Sequence, residues 1–220
     1  APPAKVFAAR KVARDWRLGR LAFFFNVEMP DRPAWPERPE LLPPGRMPRR
    51  GKGGSERGRI ALWHALAHIE FVAIDLALDM AGRFGRDMGP DFVGDFLAVA
   101  ADEAMHFALL ARKLRAMGSG YGALPAHAGL WQSAERTAHD VGARLAVVPM
   151  ALEAGGLDVT PAMFERVKAQ GDAGGAAILA RILDDEIRHV ATGTRHFTAH
   201  CLQTGKSLEN HWKTLIEEHL

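Results

Sequence analysis

Two short segments of this 220-residue chain repeat the same reactive side chains: residues 102–106 read DEAMH and residues 185–189 read DEIRH. In a helix, side chains three apart lie on one face about one turn apart. Glu103 with His106, and Glu186 with His189, could therefore each reach a single ion. The offset from the first segment to the second also links two lone glutamates in apolar stretches, Glu70 in HIEFVAIDLAL and Glu153 in VVPMALEAGG. Each half thus carries one Glu followed, at the same spacing in both, by a Glu-x-x-His. A single Glu-x-x-His arises by chance in many helices; two at one offset, each matched to its own glutamate, form a pattern.

Burying four carboxylates together is costly, because each loses its hydration and repels the others. Two divalent cations would offset that cost, and two histidines would complete the ligand set. Four Glu and two His around two ions is a donor arrangement seen in helical bundles that hold metal pairs. Mixed carboxylate and imidazole ligation suits iron or manganese better than a thiolate-seeking metal. The expected cofactor is two Fe ions, with Mn or a mixed Fe/Mn pair as alternatives. A metal-bound imidazole usually donates its other N–H to a carboxylate, so Asp102 is expected to support His189 and Asp185 to support His106. The alternative for each acid is a solvated helix face or an ion pair with Arg188 or Arg112. His64 and His68 precede Glu70 but point away from its face, which makes them supporting or packing residues. No catalytic residue separate from the metal pair is assigned.

These residues need helices to hold them. The sequence predicts a helix over 4–26 ending in LAFFF, then an extended strap from Met29 to Gly58 holding seven of the 13 prolines. Proline fixes φ and removes a donor, which makes such a strap non-helical. Its basic end (Arg49, Arg50, Lys52, with Arg57 and Arg59) reads as a solvated loop rather than a phosphate contact. Four long amphipathic helices follow. They run from 59 to 84 with Gly85 as stop, from Gly89-Pro90 to near Gly118, from 128 to 154 closed by Gly155-Gly156, and from 173 to 202 capped by Asp172. Thr160-Pro161 reads as the N-cap and first position of a short helix between the last two. Pro149 must release the carbonyl at position 145. No segment alternates with period two, so the fold class is all-α: a four-helix bundle with a pseudo-twofold repeat (59–220, including a C-terminal extension), plus the N-terminal helix and strap (1–58) packed on it.

Composition bounds the rest. Apolar residues make up 48% and charged residues 25%, as in globular proteins. The formal charge of +2 is too small to imply a polyanionic partner. One cysteine, Cys201, excludes an intrachain disulfide and suits a reducing, cytoplasmic setting. No apolar run approaches bilayer length, and no signal-peptide core is visible at the start.

The two DExxH motifs with their paired glutamates resemble the ferritin-like di-metal carboxylate superfamily over roughly residues 59 to 202. More closely, HALAHIE (64–70), DEAMHF (102–107), LEAGGLDVTP (152–161) and DDEIRHV (184–190) are similar to a ferritin-like family filed as a domain of unknown function (number 455). The resemblance implies the bundle and its metal pair but no substrate. Three chemistries follow from it. The first is dioxygen activation for oxidation or hydroxylation of an organic substrate, fed by an external electron donor. The others are iron oxidation, storage or peroxide disposal, and a metal that only staples the bundle. The first is favoured, because a long helix and strap could wall a pocket that a storage cage does not need. The near-neutral charge favours a small molecule or peptide as substrate over nucleic acid. The one tyrosine, Tyr121, lies well past His106 in a glycine-rich loop. That is roughly 20 Å along a continued helix, so a radical-carrying tyrosine near the ligands is not expected.

Overall fold

The computed structural model describes residues 2–48 and 54–220. Arg49, Arg50 and Lys52 of the basic strap end therefore lie outside the described residues. Among those described, the fold is all-α, with no strand beyond a single bridge between Leu41 and Ala126. The helices are α1 (Pro2–Arg17), α2 (Glu56–Met88), α3 (Pro90–Ala116), α4 (Gly129–Arg136), α5 (Val141–Val147), α6 (Ala154–Ala169), α7 (Ala173–Thr204) and α8 (Leu208–His219), with a π-helical segment Val148–Glu153 between α5 and α6. The chain groups into two compact units, residues 1–131 and 132–220.

In the first unit α2 packs along α3, and α1 lies against both. The first helix is shorter than expected. Gly19 adopts φ 66°, Arg20 N–H donates to Asp15 O at 2.9 Å and Gly19 N–H to Trp16 O at 2.8 Å, a Schellman ending that stops α1 before LAFFF. Gly85 does not stop α2. A Cβ there would meet Val93 Cγ2 at 2.5 Å and Phe25 Cζ at 3.0 Å, so this glycine serves close approach of α3 and of the Phe25 ring. The helix runs on to Gly89, where φ of 93° ends it and Pro90 opens α3. The segment after α1 and the start of the strap are tied to α2: Arg86 donates to Phe25 O at 2.6 Å and Arg83 to Pro30 O at 3.0 Å. By length and mean hydropathy α2 could cross a membrane, although charged residues interrupt its apolar stretches; more than half of its most apolar window is buried in the protein.

In the second unit the expected single helix over 128–154 is broken. Thr137 turns its hydroxyl onto Ser133 O at 2.8 Å, and Asp140, extended at φ −141°, caps a new helix by accepting from Ala143 N–H at 2.9 Å. Buried Arg144 donates to Thr137 Oγ1 at 2.9 Å and Ala134 O at 2.6 Å, joining the two short helices. Pro149 lacks the donor that would close a turn onto Leu145, and the chain widens there into the π-helical segment. Gly155-Gly156 do not close the helix, and Thr160-Pro161 do not open one. Both pairs lie inside α6, where the Thr160 hydroxyl donates to Gly156 O at 2.7 Å. Asp172 does cap α7, accepting from Gly175 N–H at 2.8 Å. The internal repeat extends to this cap, because Asp172 stands where the first half has Gly89.

Candidate metal centre

Glu70 lies in the middle of α2, while Glu103 and His106 lie one turn apart on α3. Packing of these two helices brings the three together, with ligand atoms within 4.8 Å of one another. His106 Nδ1 is 3.2 Å from Glu70 Oε2 and 3.3 Å from Glu103 Oε2, and His106 is 0% exposed and Glu103 1%. Burial, then the charge of Glu103, pushes Glu70 well above the usual carboxylate range. Burial alone would lower His106, but its hydrogen bonds and charge interactions with Glu103 and Glu70 outweigh that and raise it to about 10. Glu70 and His106 therefore both favour their protonated forms. The repulsion that makes Glu70 keep a proton is what a divalent ion would relieve by taking the proton's place. The donor set fits iron or manganese.

The second unit repeats the helical pair with a looser surround. His189 is buried on α7, and its Nδ1 is 3.6 Å from Glu186 Oε2, whose side chain is 16% exposed. Glu153 is the last residue of the π-helical segment, half-buried, on a stretch that packs against α7. Asp185 is fully buried and accepts from Arg181 Nε at 2.6 Å; Arg188 also pairs with it. This is the ion pair anticipated as the alternative for that acid. Arg188 bridges on to Asp184 Oδ2 at 2.8 Å. Asp102 is half-buried on α3.

The two histidines before Glu70 hold a loop. Nε2 of buried His64 accepts from the backbone N–H of Gly122 at 3.0 Å and Leu124 at 3.4 Å, and burial lowers its basicity. His68 Nδ1 is 3.0 Å from the Tyr121 hydroxyl and Nε2 is 3.1 Å from His127 O; burial first of all depresses its pKa to about 4. Tyr121 is therefore not carried away from α3. A Schellman turn at Gly118 (φ 72°; Ser119 N–H to Leu114 O, 3.0 Å) reverses the chain and returns the ring to α2. The end of the helix near Gly118 is as the sequence predicts; only the distance to Tyr121, reckoned along a continued helix, misplaced the ring. A second cluster left no signal. Lys5 pairs with Asp75, which also accepts from Trp35 Nε1 at 3.3 Å, while the Lys5 ammonium lies 3.7 Å from the Phe71 ring centroid.

No solved structure matches this chain. An uncharacterized protein of Haemophilus influenzae is 44% identical over 182 residues, 80% of this chain. The chain spans about 62% of that relative's length. The family model described as "Protein of unknown function (DUF455)" matches residues 1–220, and the chain belongs to that family.

Proposed function

We propose that this is a ferritin-like, non-haem di-metal oxidoreductase. In this reading Glu70, Glu103 and His106 of the first half and Glu153, Glu186 and His189 of the second hold two iron ions, or manganese in place of one or both. The same reading pairs the two helical hairpins as the four-helix bundle that the internal repeat implies. The observation that carries the reading is the buried cluster of Glu70, Glu103 and His106, whose counterparts recur residue for residue. A bound iron pair would supply electrons for activating dioxygen, so that a small-molecule or peptide substrate is oxidised or hydroxylated at the expense of an external donor.

The chain's own residues prepare for this. His106 presents Nδ1 to the glutamates, so Nδ1 would be the atom offered to a cation and Nε2 would keep the ring proton. Glu70 would surrender to a cation the proton that burial makes it retain. The rigid α2–α3 pair sets the three donors before any ion arrives, and their burial keeps bulk water away. The test is anaerobic loading with ferrous iron, metal analysis, then stopped-flow absorbance after mixing with oxygen. Two ions per chain and an oxygen-dependent rise in charge-transfer absorbance are expected. Near-zero iron overturns the metal reading, and an iron-loaded protein inert to oxygen reduces it to a structural staple.

A further inference from the structure

The ring of Tyr121 sits among four aromatic neighbours. Its centroid is 5.0 Å from those of Phe71 and Phe107, the chain neighbours of Glu70 and His106, and 5.6 and 6.2 Å from those of His64 and His68. The loop that carries it is fixed just past the ring by backbone bonds to His64. The tautomer of His68 follows from its partners. The carbonyl of His127 can only accept, so Nε2 carries the ring proton at 3.1 Å, and Nδ1 accepts the phenol's O–H at 3.0 Å.

We propose that Tyr121 and His68 form a proton-coupled redox site. One-electron oxidation of the phenol breaks its O–H bond. The proton moves along the existing hydrogen bond to His68 Nδ1, leaving a neutral phenoxyl radical beside an imidazolium whose Nε2–H still donates to His127 O. The electron leaves to a one-electron oxidant, an oxidised transition-metal ion, and only the identity of this acceptor rests on the metal pair proposed above. Two features favour the coupled path. Burial, then the charge of Asp75, pushes the hydroxyl above the usual phenol range, so a separate ionisation before electron loss is disfavoured. The proton acceptor is already in contact and held by a second bond, so little reorganisation accompanies the transfer.

The sequence contains one tyrosine, which makes the assay selective: any tyrosyl radical in this protein is Tyr121. The metal-free protein is oxidised by flash-generated ruthenium(III) tris-bipyridyl, and the radicals are identified by electron paramagnetic resonance. A tyrosyl signal is expected, absent in Tyr121→Phe. In His68→Gln the side chain still accepts from the phenol and donates to His127 O, but it is no useful base. Tyrosyl formation should then slow by roughly a hundredfold, the usual worth of a positioned base, while the thermal midpoint stays near that of the native chain. Tryptophanyl signals alone in the native protein, or an unchanged rate in His68→Gln, would overturn the proposal. In a second arm the iron-loaded protein is mixed with oxygen and freeze-quenched; a tyrosyl signal there names the metal as acceptor. A signal in the photochemical arm but not with iron supports the redox pair and rules out the metal as its electron acceptor, while the proposed metal function stands or falls on the loading and oxygen test.

Discussion

The two halves carry the same ligand spacing on different scaffolds. In the first, Glu70 sits in the interior of an unbroken 33-residue helix and is buried with Glu103 and His106. In the second, its counterpart Glu153 ends a π-helical segment between two shorter helices and is half-buried, and Glu186 is more exposed than Glu103. The positions equivalent to Pro149 and Gly193 are Leu66 and Leu110, ordinary helix formers. A repeat can therefore preserve donor positions while backbone regularity diverges. The regular half gathers its three donors on two unbroken helices, whereas the irregular half carries Glu153 at the end of a π-helical segment. π-Helical segments are often found at functional sites.

The largest expected effect breaks the apparent symmetry. Glu103→Ala removes a donor from the preassembled cluster and should weaken manganese binding by at least about a hundredfold, the upper end of what even an indirect supporting residue contributes. Glu153→Ala should cost less, because its position is less buried and less constrained. Anaerobic calorimetric titration of both variants compares them. A larger loss in Glu153→Ala would mean that the irregular half dominates affinity.

A second comparison sets the protein without metal against the loaded form. Glu70 and His106 both have folded-state values above their ordinary 4.5 and 6.5, and His106 reaches about 10. Their protonated forms stabilise the metal-free fold, so that contribution is lost as pH rises through the folded values. For His106 the window runs from 6.5 to about 10. In chelator, the native chain should lose stability relative to His106→Gln across that window. With manganese present the trend should reverse, because the cation competes with the same protons. Paired thermal melts decide it, and a metal-free difference that grows with pH would contradict the electrostatic account.

Gly193→Ala tests the irregular half directly. A Cβ on Gly193 would stand 2.5 Å from Pro149 Cβ and 2.6 Å from its Cγ. α7 must then move or the π-helical segment must shift, at about 1–3 kcal/mol for an overpacked contact. Denaturant unfolding measures the loss, and adding Pro149→Gly should recover part of it by removing both the Cβ and the ring. If the double variant is no better than the single one, the contact is not what shapes the segment.

What could be read in advance follows from the range of each interaction. The spacing of Glu70, Glu103, His106, Glu153, Glu186 and His189 is local and periodic, and so are the cap at Asp172 and the Gly89-Pro90 junction. The all-α class follows from the same periodicity. Thr160-Pro161 misled because Thr-Pro also opens helices, whereas here a hydroxyl bond to Gly156 O lets α6 run through it. Gly85 misled because its small size serves a neighbour, Val93, rather than a turn. Lys5 with Asp75, and Tyr121 with His68, join residues far apart in the chain. No local pattern encodes such pairs.

The smallest expected effect concerns how the second helix of each half begins. Gly89 and Asp172 occupy equivalent positions of the repeat, yet they start their helices by different means. Gly89 has φ 93° and ψ 174°, a conformation open almost only to glycine, and no side chain caps α3. Asp172 has φ −91° and caps α7 by accepting from Gly175 N–H at 2.8 Å. Asp172→Gly should therefore cost only a few tenths of a kcal/mol, since glycine is itself a tolerable N-cap, and Asp172→Ala about 1 kcal/mol. The reverse substitution is not equivalent: Gly89→Ala forces a Cβ into a strained backbone at about 1–3 kcal/mol. Chemical denaturation of the three variants ranks them. If Gly89→Ala proves as mild as Asp172→Gly, the α2–α3 junction relaxes, and the regular half is less rigid than its unbroken helix implies.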